Sequence, residues 1–589
     1  MLPLGKPERP APRPYAALPL GWAAVVLVLT LTPADKMPIT PVWELLSFDT
    51  AAHAGVFLVL AGLSWFSLRR QRRWPTLALR AGRAALLSSI VFGGLIEVMQ
   101  YNMALGRHGE WTDLLSDAIG AALAVGVATA GAARLGRRPP LRVSTWVGLL
   151  LAGAALGAWP APVAAQDLVR ARHTIKKLAS PCLHGRGYVK HGEHKAAAYL
   201  RGRFRELKLQ PLAPDYTQPF ALDVNTFPGK LQLDVMPFGP LRRMPQAKHL
   251  QPGRNFIAAP NSGSGKLDWG SRLVRLDTLA FTDSLVRQRS IAQLTRLPGA
   301  VLLTARVESQ LAHWPHLRQA LETAAARITL VPKLTALLAS EQSAQVKLLA
   351  LPTAAAWPAA TTVPNQMKSV HLEVEAKLIR QYQTQNLAAI VRGSVQPDSF
   401  LVATAHYDHL GLMGKSTYFP GANDNASGVA LLLELAAHYA RPENRPAYSV
   451  VFLLFGAEEA GLLGSTYFVA HPLVPLKSIK FLVNLDLLGT GEQGATVVNG
   501  KVFEAPYQRL LALNEAHHYL PALGARGRAA NSDHFPFSEA GVPAFFIYTR
   551  GGSTAYHDVN DRPEALSLAG FAGAFGLVRD FLNELGAAR

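Results

Sequence analysis

Five apolar runs open the chain, at residues 15–32, 51–68, 84–101, 114–133 and 143–165. Each comes near the roughly 20 residues that cross a bilayer as a helix. Beyond residue 166 the pattern changes and charge is spread along the chain. From residue 399, apolar runs of strand length (400–405, 449–455, 479–485) alternate with amphipathic stretches of helical length (426–439, 462–470). That alternation predicts a mixed, mainly parallel sheet with helices on both faces. Residues 196–207 show helical periodicity, and 220–375 hold short apolar runs among many Pro and Gly, as in a β-rich insertion. The expected fold class is therefore an α-helical transmembrane bundle followed by an α/β domain that carries a β-rich insertion. Its expected parts are a four-helix membrane domain over 1–142, a fifth helix or signal-like segment over 143–166, an α/β domain from 167–219 plus 376–589, and an inserted lid over 220–375.

The placement of charge refines this picture. Arg69, Arg70, Arg72, Arg73, Arg80 and Arg83 follow the second run, and Arg134, Arg137, Arg138 and Arg142 precede the fifth. Basic loops stay on the cytoplasmic side, so both loops and the N-terminus are expected inside, with everything after the fifth run outside. The expected location is a bacterial cytoplasmic membrane, crossed several times, with the lipid bilayer as a partner and the α/β domain on the outer, periplasmic side. The fifth run ends in Pro162-Val163-Ala164-Ala165, which also reads as a signal cleavage site; of anchoring and cleavage, retention is favoured. The formal charge of +19 does not imply nucleic acid, because no basic run alternates with aromatics and no nucleic-acid-binding motif is present. Lone Cys182 excludes an intrachain disulfide and a cysteine-based zinc cluster, leaving His and carboxylates for any metal.

Polar residues within the apolar runs are grouped: Asp49 and His53, Glu97 and Gln100, then Arg107, Asp113, Asp117 and Gly120. Ionisable groups at membrane depth are costly and invite a role, although at helix ends hydration is cheap. Their arrangement resembles the VanZ-like family of small bacterial membrane proteins, over about residues 19–133. That resemblance implies an architecture and little chemistry.

In the second half, polar residues gather just after the predicted strands, where ligands collect in α/β folds. His406-Tyr407-Asp408-His409 follows the first strand, Gly421-Ala422-Asn423-Asp424-Asn425 a Gly-rich loop, and Glu458-Glu459 the next strand. Asn484-Leu485-Asp486 closes the last, and Ser532-Asp533-His534 and Tyr556-His557-Asp558 lie in loops nearer the end. Singly, each has an ordinary structural role as a buried histidine, a helix-terminal acid or an N-cap. Together, imidazoles and carboxylates at successive strand ends are the donors a divalent ion such as Zn²⁺ takes without cysteine.

The motifs His-x-Asp, Gly-Ala-x-Asp-Asn-x-Ser-Gly, Glu-Glu-x-Gly-x-x-Gly-Ser, Asn-x-Asp and Tyr-His resemble the zinc exopeptidase family of bacterial leucyl aminopeptidases and glutamate carboxypeptidase. The resemblance runs over about residues 385–585. It implies that His406, Asp424, Glu459, Asp486 and His557 hold two Zn²⁺ (other divalent transition metals being possible), with Asp424 bridging them. It further implies that Glu458 is the general base and that Asp408 orients His406. We add that Asp561 is placed to orient His557. A bridge is needed because two ions about 3.5–4 Å apart repel. The expected function is a membrane-tethered, exoplasmic metallo-aminopeptidase acting on peptides, a proteolytic hydrolase. The alternative is a peptide-binding membrane sensor, or an envelope or antibiotic-resistance protein whose VanZ-like bundle does the main work.

Overall fold

The computed structural model describes residues 16–31, 48–70, 74–103, 111–134, 167–236, 247–296, 299–355, 357 and 368–587. Two compact units result, Met1–Ala164 and Ala165–Arg589.

In the first unit, helices α1 (Ala17–Leu31), α2 (Phe48–Arg70), α3 (Ala81–Met103) and α4 (Trp111–Arg134) pack through Val26, Phe57, Leu60 and Ile96, and through Ala61, Ala121 and Ala124. Small residues let α2 and α4 approach closely; a Cβ on Gly120 would stand 2.0 Å from the Ala54 carbonyl oxygen. The expected transmembrane bundle is corrected here: among the described residues no helix is long and apolar enough to cross a membrane. At 1.5 Å per residue the 15 residues of α1 reach only about 22 Å, against a hydrocarbon core of roughly 30 Å. The other three have the length, but their apolar positions are diluted with Ala, Gly and Ser, which gain little on leaving water. The expected multi-pass location in a cytoplasmic membrane, and the lipid bilayer as partner, fall with the bundle. The fifth run, Arg107 and the side chains of Asp49, His53, Glu97, Gln100 and Asp113 lie outside the described residues. Asp117 is 1% exposed and faces Gly93 of the neighbouring helix, so it sits inside the helix packing and not at a hydrated helix end.

The second unit is an α/β fold. Its main sheet has nine strands: β1 (Gln210–Pro211), β2 (Thr217–Thr226), β3 (Lys377–Val391), β4 (Gln396–His406), β5 (Tyr448–Phe455), β6 (Ile479–Leu485), β7 (Ala495–Val498), β8 (Leu523–Ala525) and β9 (Ala544–Thr549). The order is β1-β3-β5-β4-β6-β9-β7-β8, with β2 also paired to β3. Strands β5, β4, β6 and β9 run parallel, while β3 and β7 join this core antiparallel.

Strand β5 reads Tyr-Ser-Val-Val-Phe-Leu-Leu-Phe and is buried at every position, as a parallel strand covered on both faces must be. Val450, Phe452 and Leu454 point to one side, where they meet α7 (Gly428–Tyr439) and α10 (Phe571–Ala587) together with α5 (Leu168–Leu178) and α6 (Gly192–Glu206). Val451, Leu453 and Phe455 point to the other, against Phe468 of α8 (Leu463–Ala470) and Phe537 of α9 (His534–Glu539). Helix α7 is apolar nearly all round because it is covered nearly all round. Its one buried acid, Glu434, takes a bidentate pair from Arg170 and a hydrogen bond from the Asp167 amide.

Between β2 and β3 the chain builds a second, eight-stranded sheet. Its order is Lys248–Leu250, Leu231–Met236, Lys368–Val374, Gly265–Arg275, Gly299–Thr304, Ala326–Leu330, Val346–Ala350 and Phe256–Ala258. This region is less purely β than its Pro and Gly content suggests. Its parallel strands need crossovers, and helices Ser284–Leu294 and Pro315–Glu322 supply two of them.

Candidate metal centre

Strand β4 lies between β5 and β6, so the connections leaving β4 and β5 run along opposite faces of the sheet and open a crevice at the carboxyl ends. His406 is the last residue of β4. Glu458 and Glu459 follow β5, Asp486 follows β6, and Asp424 sits in the loop leading into α7. His557 comes from the loop after β9. These six side chains, from five separated segments, meet.

One carboxylate joins the two imidazoles. Asp424 Oδ1 lies 3.3 Å from His406 Nε2, and its Oδ2 lies 3.1 Å from His557 Nε2. Asp486 Oδ1 is 3.4 Å from His406 Nε2, and Glu459 Oε2 is 3.1 Å from His557 Nε2. Ligand atoms of His406, Asp424 and Glu459 lie within 4.8 Å of one another, and so do those of His406, Glu458 and Asp486.

The surrounding residues hold this set in place. Ser532 donates to Asp486 Oδ2 (2.8 Å) while accepting from Asn484, which in turn accepts from Thr404. Asp408 Oδ1 accepts from the Glu458 amide at 3.1 Å and stands 3.8 Å from His406 Nδ1, so it fixes the acidic turn as well as flanking the imidazole. Asp561 does not orient His557. Its two oxygens accept from the amides of Asn423 and Asp424 (2.8 and 2.9 Å), which aims the Asp424 carboxylate. His557 instead pairs with Ala336: its Nδ1 is 3.0 Å from the Ala336 carbonyl oxygen, and its own carbonyl accepts from the Ala336 amide. His409, present in the motif but given no role there, is fully buried with Nδ1 2.6 Å from Glu459 Oε1.

Arg186 is the residue the sequence reading missed. It is 0% exposed and donates to five carbonyls, those of Tyr407, Leu178, Pro420, Gly421 and Asp424. It thereby ties the His406 strand end to the Asp424 loop. The available signal was its setting, Gly185-Arg186-Gly187. A Cβ on Gly187 would stand 2.3 Å from Gly411 Cα, and Gly185 has φ +63° with the Phe419 carbonyl oxygen 2.4 Å from where its Cβ would be. Only glycine lets this backbone tuck in. Arg186→Met is expected to destabilise the chain by about 3–5 kcal/mol, since it strands buried carbonyls and carboxylates. Denaturant midpoints of the two proteins measure this.

The electrostatics ask for cations. Asp408, Asp424, Asp486, Asp533 and Asp561 are buried beside Glu458 and Glu459, against Arg186 and three imidazoles. Burial pushes Glu458 well above the usual carboxylate range, and it pushes Asp408 up to about 8 and Asp533 up to about 7. Burial would lift Asp424 too, but His406 and His557 outweigh it and hold that carboxyl well below its ordinary value. The same contest takes Glu459 down to about 2, with His557 and His409 prevailing. Burial opposes the charge on His557, yet Glu459 and Asp424 raise it to about 11. Asp486 Oδ1, Asp408 Oδ2 and His406 Nδ1 have no hydrogen-bond partner among the described residues. Buried oxygens left over around imidazole nitrogens, with no thiolate, fit zinc.

Residues 386–582 match the family model for Peptidase family M28. The match does not reach the N-terminal unit, where the VanZ-like resemblance finds no support. Aminopeptidase YwaD of Bacillus subtilis (strain 168) is 30% identical over 214 residues, which are 34% of this chain and 44% of that protein. Leupeptin-inactivating enzyme 1 of Streptomyces exfoliatus is 32% identical over 160 residues, 26% of this chain and 33% of its own. The chain thus spans less than half the length of these curated relatives. Two solved structures share the fold. One is BSAP, a zinc aminopeptidase from Bacillus subtilis, with TM-score 0.50 and 20% identity over 70% of this chain and 94% of that one. The other is a Peptidase M28 precursor from Shewanella amazonensis SB2B, with TM-score 0.53 and 16% identity over 72% and 95%.

Proposed function

We propose that this chain is a zinc-dependent aminopeptidase that removes N-terminal residues from peptides with a two-zinc centre. The observation that carries the reading is the Asp424 carboxylate, whose two oxygens face two different imidazoles, each with its own further acid. His406 and Asp486 would hold one ion, His557 and Glu459 the other, and Asp424 would bridge them. When bound, such a pair polarises the scissile carbonyl and lowers the pKa of water.

The chain's own groups supply the rest. Glu458 accepts a proton from the attacking water on its carboxylate and passes it to the departing amine. Its amide bond to Asp408 fixes the turn, so that Glu458 faces Asp533 and the Asp486 side while the next side chain, Glu459, faces His557 and His409. Water is limited there because the floor is built of β-strand ends and buried acids.

The reading is tested with the purified full-length chain on leucine anilide and its N-acetylated counterpart. Cleavage of the free amine only, abolished by chelation and restored by zinc, is expected. Cleavage of the acylated compound in preference would contradict it.

A second prediction concerns protons. Without metal, both His406 and His557 stay protonated at neutral pH because carboxylates surround them, and a metal takes only the neutral imidazole. Zinc binding at pH 7 should therefore release at least about two protons, with Glu458 and Asp408 adding to them, and zinc affinity should fall as pH drops. Calorimetric titration of metal-free protein in buffers of different ionisation enthalpy reads the number directly; a heat independent of buffer would contradict the prediction.

A further inference from the structure

Within the insertion, residues 333–339 alternate in burial. Leu334 and Ala336 are buried in the insertion's own core and Leu338 packs against it, whereas Lys333 and Leu337 are exposed. Such alternation is that of extended chain with one face on a core and the other turned out. Lys333 shows where the outer face lies: its Nζ donates to the Thr554 carbonyl (3.0 Å) and pairs with Asp558 (3.3 Å), on either side of His557. Leu337 belongs to the same face and is 51% exposed, a large apolar side chain left half uncovered.

The segment is pinned where it passes the metal ligands. Ala336 turns both its backbone groups to His557, the carbonyl oxygen lying 3.0 Å from Nδ1. Further on, the Ala339 carbonyl accepts from the Asn225 amide at 2.8 Å. Between them Leu338 also packs on the cluster that contains Tyr188 and Ala457, and Ala457 directly precedes Glu458. Leu337 thus stands between a metal ligand and the foot of the turn that carries the general base. One Cα–Cα step, the reach of the Ala336 carbonyl, its contact with Nδ1 and the width of the imidazole place the Leu337 Cα within about 11 Å of His557 Nε2. One side chain from each end closes that gap.

We propose that Leu337 selects the second residue of the substrate, the one whose amine departs, and that it favours an apolar side chain there. The inference rests on the aminopeptidase reading. With Glu458 passing its proton to the departing amine, that amine lies beside the 457–460 turn, and the residue that bears it lies against the insertion segment. An exposed leucine side chain offers neither a hydrogen bond nor a charge, so its favourable contact is with another apolar surface, through the area both remove from water. A pinned backbone holds that surface in place before the substrate arrives, so little ordering opposes the contact.

The test uses the full-length chain and dipeptide amides that begin with leucine and carry leucine, phenylalanine, glycine, lysine or glutamate second. Each kcat/KM is read relative to leucine amide, which has no second residue. The wild type should favour leucine and phenylalanine over glycine by about fivefold, as expected from covering about half a leucine side chain. Leu337→Glu should remove that preference and raise the lysine dipeptide over the glutamate one, and Leu337→Lys should do the reverse. Opposite shifts of this kind follow from contact with the second side chain and not from a loosened His557. Ratios that both variants leave unchanged overturn the proposal, and an equal loss on every substrate does so too, since it makes the segment a support for His557 alone. A preference altered only at the first residue, read on amides of other amino acids, overturns it as well. A wild-type chain that holds zinc but leaves leucine amide and every dipeptide intact sinks the aminopeptidase reading, and the role of Leu337 falls with it.

Discussion

Glu458→Gln should lower kcat on leucine anilide by about 10³-fold, within the range a positioned general base contributes, while zinc content stays at the wild-type level. The expectation comes from the different surroundings of two neighbouring acids. Glu459 is tied to His409 and faces His557, so its oxygens are committed. Glu458 is held through its backbone, the amide to Asp408 and the carbonyl to the amides of Gly461 and Leu462, and keeps its carboxylate among His406, Asp486 and Asp533. Glutamine preserves size and removes the proton acceptor, so KM should move far less than kcat. Gln at 458 that lost both metal and activity would show this side chain to be a ligand, because it lies within the same 4.8 Å cluster as His406 and Asp486.

Asp424→Ala should have the other large effect, on metal as well as on rate. Among the described residues no other side chain pairs directly with both imidazoles, so without it two cations would face each other with no carboxylate held between them. Zinc per chain should drop and hydrolysis should fall below about a thousandth of wild type. Stability offers an independent reading. A ligand that binds only the folded state adds about 2.7 kcal/mol at a hundred times its Kd, so zinc should raise the melting temperature of the wild type and do little for the variant. An Asp424→Ala protein that keeps two ions and the full thermal shift would place the bridge elsewhere.

Much of the α/β domain was legible because its signals are local. The run 449–455 is apolar without alternation, which is what burial on both faces produces, and β5 occupies Tyr448–Phe455. The candidate ligands were legible for a related reason: strand ends in such a sheet converge, and His406, Glu459 and Asp486 each stand at one. What could not be read was long-range. Arg186 precedes Asp424 by 238 residues, and no local pattern says that its guanidinium closes on that loop. The proposed role of Asp561 failed through sequence proximity, since it stands four positions after His557 while its oxygens turn to the amides of Asn423 and Asp424. His557 found its partner in Ala336, on a different segment altogether. The N-terminal reading failed for another reason. Counting apolar letters gave Ala and Gly the weight of Leu, and helix length alone does not make a membrane span.

The most direct test is the zinc content of the full-length chain measured together with its aminopeptidase rate. The account predicts two zinc ions per chain, loss of hydrolysis on chelation and its return as zinc is added back. A folded chain that binds no zinc, or that hydrolyses leucine anilide equally well after its metal is stripped, would contradict it.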